Sequence, residues 1–541
     1  MKNIINTIQG GGQKPLSFLL VAIALAAIVS LASLTALADK HSWVSGKNGN
    51  FSVAENWTVT DVGNVAPVEG DDINFWRNAE TAGTWLYVTN DLPSVSFGTV
   101  NFSAGLLDVA GDIKMQDSKH LYVASSPSTP LAVVNKRSGN WTIGQDLYIA
   151  TSGSTDITGV MTNNAGNINA GSGWIYIGGN TTGANLPRVI GSLVVNSGTV
   201  TTKAMILGGR ANGTSGTLEM NGGTVTISNW VKLDSEWCGI FMCGWGGAKG
   251  FLKVGRGATL NLTSSGANIG VGDGTAVISI DGTVRLTTEG KVLSTATGST
   301  HGINFTIGSS GRLECKYVNL RRSTNPSLVL DGGTFAPNGT EATALHWLHL
   351  KVTSKNGVYE VPSGKTINTG VYVSDYSDSN KGRLIKTGAG TLNINNWFRP
   401  SGGLRVNAGT AQITHNGDSF ASFNYPMSIS KTGTVTSGAF VMGSGGTLEF
   451  EHASKTSGAT MNITTSFTRN ADIPITFSTE DVFGFDDTYT LVKGGKIANT
   501  NNFHIASATA NDVDITSSVY LAVSSGNLVL KRKPYFTIKV R

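Results

Sequence analysis

The residues able to do chemistry in this chain are few and far apart. Gly70-Asp71-Asp72 sets two carboxylates side by side, the pairing that glycosidic bond cleavage uses as acid and base. The partners of such a site do not accompany it. His301-Gly302 lacks a Gly-His-Gly context, and Arg383-Leu384-Ile385-Lys386 belongs to a repeat, so the pair reads as loop acids. Asp481, Asp486 and Asp487 supply hard oxygens of the kind Ca²⁺ takes, though solvated turn acids are the plainer reading. Gly270-Val271-Gly272-Asp273-Gly274 is one copy of a pattern that holds Ca²⁺ only in tandem, and His346 and His349 simply flank Trp347-Leu348. Cys238 and Cys243 could pair in an oxidising compartment, with Cys315 left over. The alternative is packing: Cys243 precedes a turn glycine, where sister repeats carry Ile177 and Leu207. What remains is stacking chemistry. Trp57 and Trp76 are the candidate glycan-binding residues; no catalytic residue, metal site or cofactor is assigned.

The elements that must position these residues are short and repetitive. A phrase of glycine, Thr or a small residue, then an apolar residue recurs at Gly198-Thr199-Val200, Gly223-Thr224-Val225, Gly257-Ala258-Thr259-Leu260, Gly282-Thr283-Val284 and Gly333-Thr334-Phe335. It alternates with strand-like phrases ending in a small residue, such as Leu147-Tyr148-Ile149-Ala150, Trp174-Ile175-Tyr176-Ile177-Gly178 and Met205-Ile206-Leu207-Gly208. With Gly166, Gly198, Gly223, Gly257 and Gly282 as marks, the steps are 32, 25, 34 and 25 residues. A strand of four to seven residues cannot bury an apolar face alone, but stacked coils cover one another. Steps near 25 residues suit a three-sided coil better than a propeller blade of roughly 40 to 50 residues. The pattern predicts an all-β parallel β-helix, with no helical periodicity outside the leader.

Four segments follow. Residues 1–38 read as a signal peptide: Lys2 and Lys14, an apolar run from Leu16 to about Leu34, then Ala36-Leu37-Ala38. The alternative is an uncleaved anchor; cleavage would leave no membrane span. Residues 39–100, with Trp43, Trp57, Trp76 and Trp85, read as an N-terminal cap over the open end of the coil, or alternatively as a sugar-stacking surface. Residues 101–470 carry the repeats. Residues 471–541 hold closing strands at Tyr489-Thr490-Leu491-Val492 and Asn527-Leu528-Val529-Leu530, ending at Lys531-Arg532-Lys533-Pro534. Charged residues make up 14% of the chain, against about 25% in ordinary globular domains. Loss of two leader lysines takes the formal net charge from +5 to +3, a balance that implies no nucleic-acid partner.

Lys386-Thr387-Gly388-Ala389-Gly390-Thr391-Leu392, followed by Gly402-Gly403-Leu404-Arg405-Val406-Asn407-Ala408-Gly409-Thr410, closely resembles the autotransporter-associated β-strand repeat. The strong match covers 383–413, with looser echoes over 140–340. Gly49, Phe51, Ala54, Asn56, Trp57, Pro67, Asp71 and Asp72 resemble the opening of large bacterial surface proteins. The resemblance implies a right-handed parallel β-helix, exported to the surface or exterior of a Gram-negative-type bacterium, with no catalytic residues. The stretch after residue 470 is too short for a membrane barrel, so the chain is expected to be passenger-like without its own translocator. The expected function is a non-enzymatic structural or adhesive rod, contacting extracellular polysaccharide, a host or environmental surface, or further copies of itself. The alternative is a polysaccharide lyase or glycoside hydrolase with an unfamiliar site.

Overall fold

The computed structural model describes residues 39–534, apart from 45, 76–83, 126–130, 152–155, 180–184, 210, 234–235, 245–246, 295–301, 322, 415–422, 470–471 and 498–501. The leader therefore lies outside the described residues, as does Trp76. The chain is nearly all β and winds as a parallel β-helix. Fourteen strands, one from each coil up to Phe398–Arg399, form one face, while a second sheet, whose two columns join at long strands such as Asn167–Ile177 and Thr199–Leu207, supplies the other two.

The periodicity of the short strands explains this. Ile157–Asn163 alternates buried and half-buried residues along its length, so one side of each strand faces inward. Parallel pairing then stacks like on like. Val200 lies on Val225, Val225 on Leu260, Leu260 on Val284, Val284 on Leu313, and Leu313 on Phe335. All are buried. The register puts Ala258, not Gly257, in the glycine column, because Thr259 pairs with Thr224 and Thr283.

A second correction concerns Cys243. Met242, not Cys243, shares a rung with Leu207 and, through it, Ile177. Cys243 instead continues the corner column of Gly178 and Gly208, and like them has a positive φ, +46° against +75° and +66°. The next residue, Gly244, donates its amide to Gly209 as Gly209 does to Gly178, which locks the offset.

Both ends break the parallel pattern. Lys40–Trp43 pairs antiparallel with Trp57–Val59 and parallel with Asp72–Phe75. Trp43, Phe51, Trp57 and Phe75 pack there as one aromatic plug over the first coil. At the far end, Thr488–Lys493 and Val519–Ser524 both pair antiparallel with Asn527–Arg532.

Candidate functional site

One corner of the coil displays aromatic side chains on three successive turns. The strand His349–Val352 alternates outward His349 and Lys351 with buried Leu350 and Val352. The next turn repeats the pattern in Tyr372–Asp375, with Val373 inward. The third does so at Trp397 and Phe398–Arg399, with Phe398 against the core. His349 pairs with Tyr372, and Val373 with Phe398, so Trp397 falls beside Tyr372. Ring centroids are 5.3 Å apart for His349–Tyr372 and 6.4 Å for Tyr372–Trp397. The three rings form an outward ladder, one per coil.

Trp347 stands beside this ladder on the corner preceding His349, with φ +54° and 62% of its surface exposed. A bulky residue held in the left-handed region carries strain of order 1 kcal/mol or more, and such outliers concentrate at functional positions. Arg321 covers its ring at 5.0 Å, and Arg399 lies 4.4 Å from Trp397 and 5.8 Å from Tyr372. Arg321, His346, Trp347, His349, Tyr372 and Asn396 are among the walls of a cleft of about 560 Å³. Its groups can stack on an apolar ring face and hydrogen-bond around its edge.

The residues singled out from sequence lie elsewhere. Trp57 is fully buried, donates its indole N–H to the Phe51 carbonyl at 2.8 Å, and meets Trp43 edge-on at 4.7 Å. A ring with no accessible face offers nothing to a sugar, so Trp57 works as packing in the cap rather than as a glycan contact. Asp71 is buried as well: it lies 2.8 Å from His41 Nε2 and accepts the Val68 amide at 2.8 Å, while Asp72 accepts the Thr99 amide at 2.5 Å. Both carboxylates clamp corners of the first coils. Asp487 pairs with Lys455 at 3.0 Å and accepts the Gly484 amide. Among the described residues, no group of three or more His, Cys, Asp or Glu is placed to hold a metal ion. Cys238, Cys243 and Cys315 are buried thiols rather than a disulfide, and burial pushes Cys243 up to about 12.

The repeat lysine has a structural task that sequence reading did not foresee. Lys386 points into the core column between Tyr359 and Val406. Its ammonium donates to the carbonyls of Thr387, Gly388 and Ala408 at 2.8, 2.6 and 2.9 Å. Burial lowers its pKa to about 8. Lys136 does the same on another face, donating to Asn163 Oδ1 and the Ala165 carbonyl, and its pKa is likewise lowered to about 8. Each lysine ties together the carbonyls of a turn where two coils meet.

The site missed from sequence did leave a signal: Trp347, Tyr372 and Trp397 recur at steps of 25 residues, one coil length. Fold and cleft together define a parallel β-helix with an aromatic, cation-fringed corner. No protein-family model and no curated protein matches the chain.

Proposed function

We propose that this protein is a non-enzymatic, exported β-helical rod, passenger-like in the sense of the autotransporter-associated repeat, that holds glycans through its aromatic corner. The observation that carries the reading is the ladder of His349, Tyr372 and Trp397, with Trp347 exposed beside it. A pyranose ring has an apolar face of C–H groups and a polar rim. The exposed indole surface of Trp347 and Trp397 removes the former from water, while guanidinium and amide groups satisfy the latter. The walls that converge here bring rings, the Arg321 guanidinium and the Asn396 amide to a sugar. Cleavage of a glycosidic bond would instead call for two carboxylates facing across it.

The test is retention of the purified chain in affinity gels cast with soluble polysaccharides, alongside mass spectrometry of the incubated polymers. Retardation that is lost in Trp347→Ala/Trp397→Ala, with no oligosaccharide released, supports the reading. Equal mobility in every gel overturns glycan binding, and released oligosaccharides overturn the non-enzymatic assignment.

A further inference from the structure

Resting on that glycan-binding reading, we infer that the ligand is an acidic polysaccharide, bearing carboxylates or sulfate esters, laid across the fourteen-stranded face from the aromatic corner to a cationic cleft at the opposite corner. The second cleft also measures about 560 Å³, and Asn356, Lys381, Arg383, Arg405 and Asn407 are among its walls. It belongs to the same coils as the first. The strands His349–Val352, Tyr372–Asp375 and Phe398–Arg399 start at the aromatic corner and lead to this one. Four residues at about 3.3 Å each separate the two edges by roughly 13 Å, a span of a few sugar rings.

The surface between is cationic too. Lys351 pairs in register with Ser374, and Ser374 with Arg399, so two of the three outward positions in that column are basic. Arg405 is paired with Glu451 at 2.8 Å. Among the described residues, Lys351, Lys381, Arg383 and Arg399 have no carboxylate partner. The carboxylate on these strands, Asp375, is committed to the corner, accepting from the Ser401 amide and hydroxyl and the Gly382 amide. Lys351 and Arg399 on this face, with Lys381 and Arg383 at its far corner, outnumber the carboxylates Asp375 and Asp378, and a polyanion balances that excess while its rings stack at the aromatic edge. A neutral glycan would use the rings and leave that excess positive charge in place.

The experiment compares binding of polygalacturonate, dextran sulfate and unsubstituted dextran at low and high NaCl. It uses the wild-type chain, Lys351→Gln/Lys381→Gln, and Trp397→Ala, each checked for β circular dichroism. The two lysines are surface groups, so their removal leaves the core intact. The inference expects both polyanions to bind more tightly than dextran. It expects the lysine pair to weaken polyanion binding by about tenfold at low salt, with much less effect at high salt. Trp397→Ala should weaken every polymer that binds. The stronger of the two polyanions identifies the anion. If dextran binds as tightly as the polyanions and the lysine pair changes nothing, the acidic ligand is refuted while glycan binding stands. If no polymer binds, both readings fall. Polyanion binding that ignores Trp397→Ala means simple charge attraction and overturns the laid-across geometry.

Discussion

Replacing Lys386 with methionine tests the most specific energetic claim in the molecule. The change keeps much of the apolar stem and removes the ammonium that three carbonyls share. The Thr387 carbonyl keeps the Val361 amide at 3.0 Å, so the Gly388 and Ala408 carbonyls lose the ammonium's bond, at about 2 kcal/mol each, or about 4 in all. Against this, deleting a buried charge recovers its desolvation. The displacement of Lys386 from 10.5 to about 8 corresponds to about 3 kcal/mol. The expected net loss is about 1 kcal/mol, felt locally because a solenoid's coils depend mainly on their neighbours. Native-state hydrogen exchange is the suitable assay. Amide protection over Arg383–Thr387 and Gly403–Ile413 should drop about fivefold, while Thr259–Leu262 keeps its protection. Unchanged or greater protection around Lys386 would refute the reasoning, since water would then be satisfying those carbonyls at no cost. A pH signature accompanies it. The unfolded chain holds the lysine proton to about 10.5 and the folded chain releases it near 8, so stability should rise as pH climbs through that window. Lys136 contributes the same sign, so the variant should show a reduced rise rather than none.

His452 supplies the acid counterpart. Burial lowers it to about 4, so the folded state resists a proton the unfolded chain accepts near 6.5, and stability should fall as pH drops through that range. His452→Phe should flatten the acid limb of a denaturation-versus-pH series by up to about 3 kcal/mol. Gly178→Ala should destabilise by several kcal/mol in urea titrations, because φ is +75° and an added Cβ would meet the Ser215 carbonyl oxygen at 1.8 Å. Tolerance there would contradict the corner stacking. Trp57→Ala should lower stability by about 3–5 kcal/mol through the cavity it leaves in the N-terminal plug. In the same assay Trp397→Ala, half-exposed at the ladder, should stay within about 1 kcal/mol of wild type.

The architecture was legible because it is local and repeated. Glycine before Thr-Val marks a corner, alternation marks an inward face, and copies at coil spacing leave stacking as the way to bury them. Fine register was less legible. Gly257 sits one residue out of its column, and Cys243 belongs with Gly178 and Gly208. A corner is set by which amide meets which carbonyl on the neighbouring turn, and residue type alone does not report that. Trp57 illustrates a related limit: an indole beside polar residues reads as a plug or a platform until its burial is known.

The sequence by itself determined a stacked, all-β chain with aromatic ends and a motif lysine of unstated purpose. Only the tertiary structure decided where chemistry could gather. Arg321, Lys351, Lys381, Arg383 and Arg399 are dispersed along the chain in a nearly neutral protein, and no local window shows them as a cluster. Winding returns the backbone to the same corner once per coil, and parallel pairing at about 4.8 Å turns residues a whole coil apart into neighbours. Proximity here follows the coil period rather than the separation in sequence, so the charged and aromatic columns exist only once the register is set.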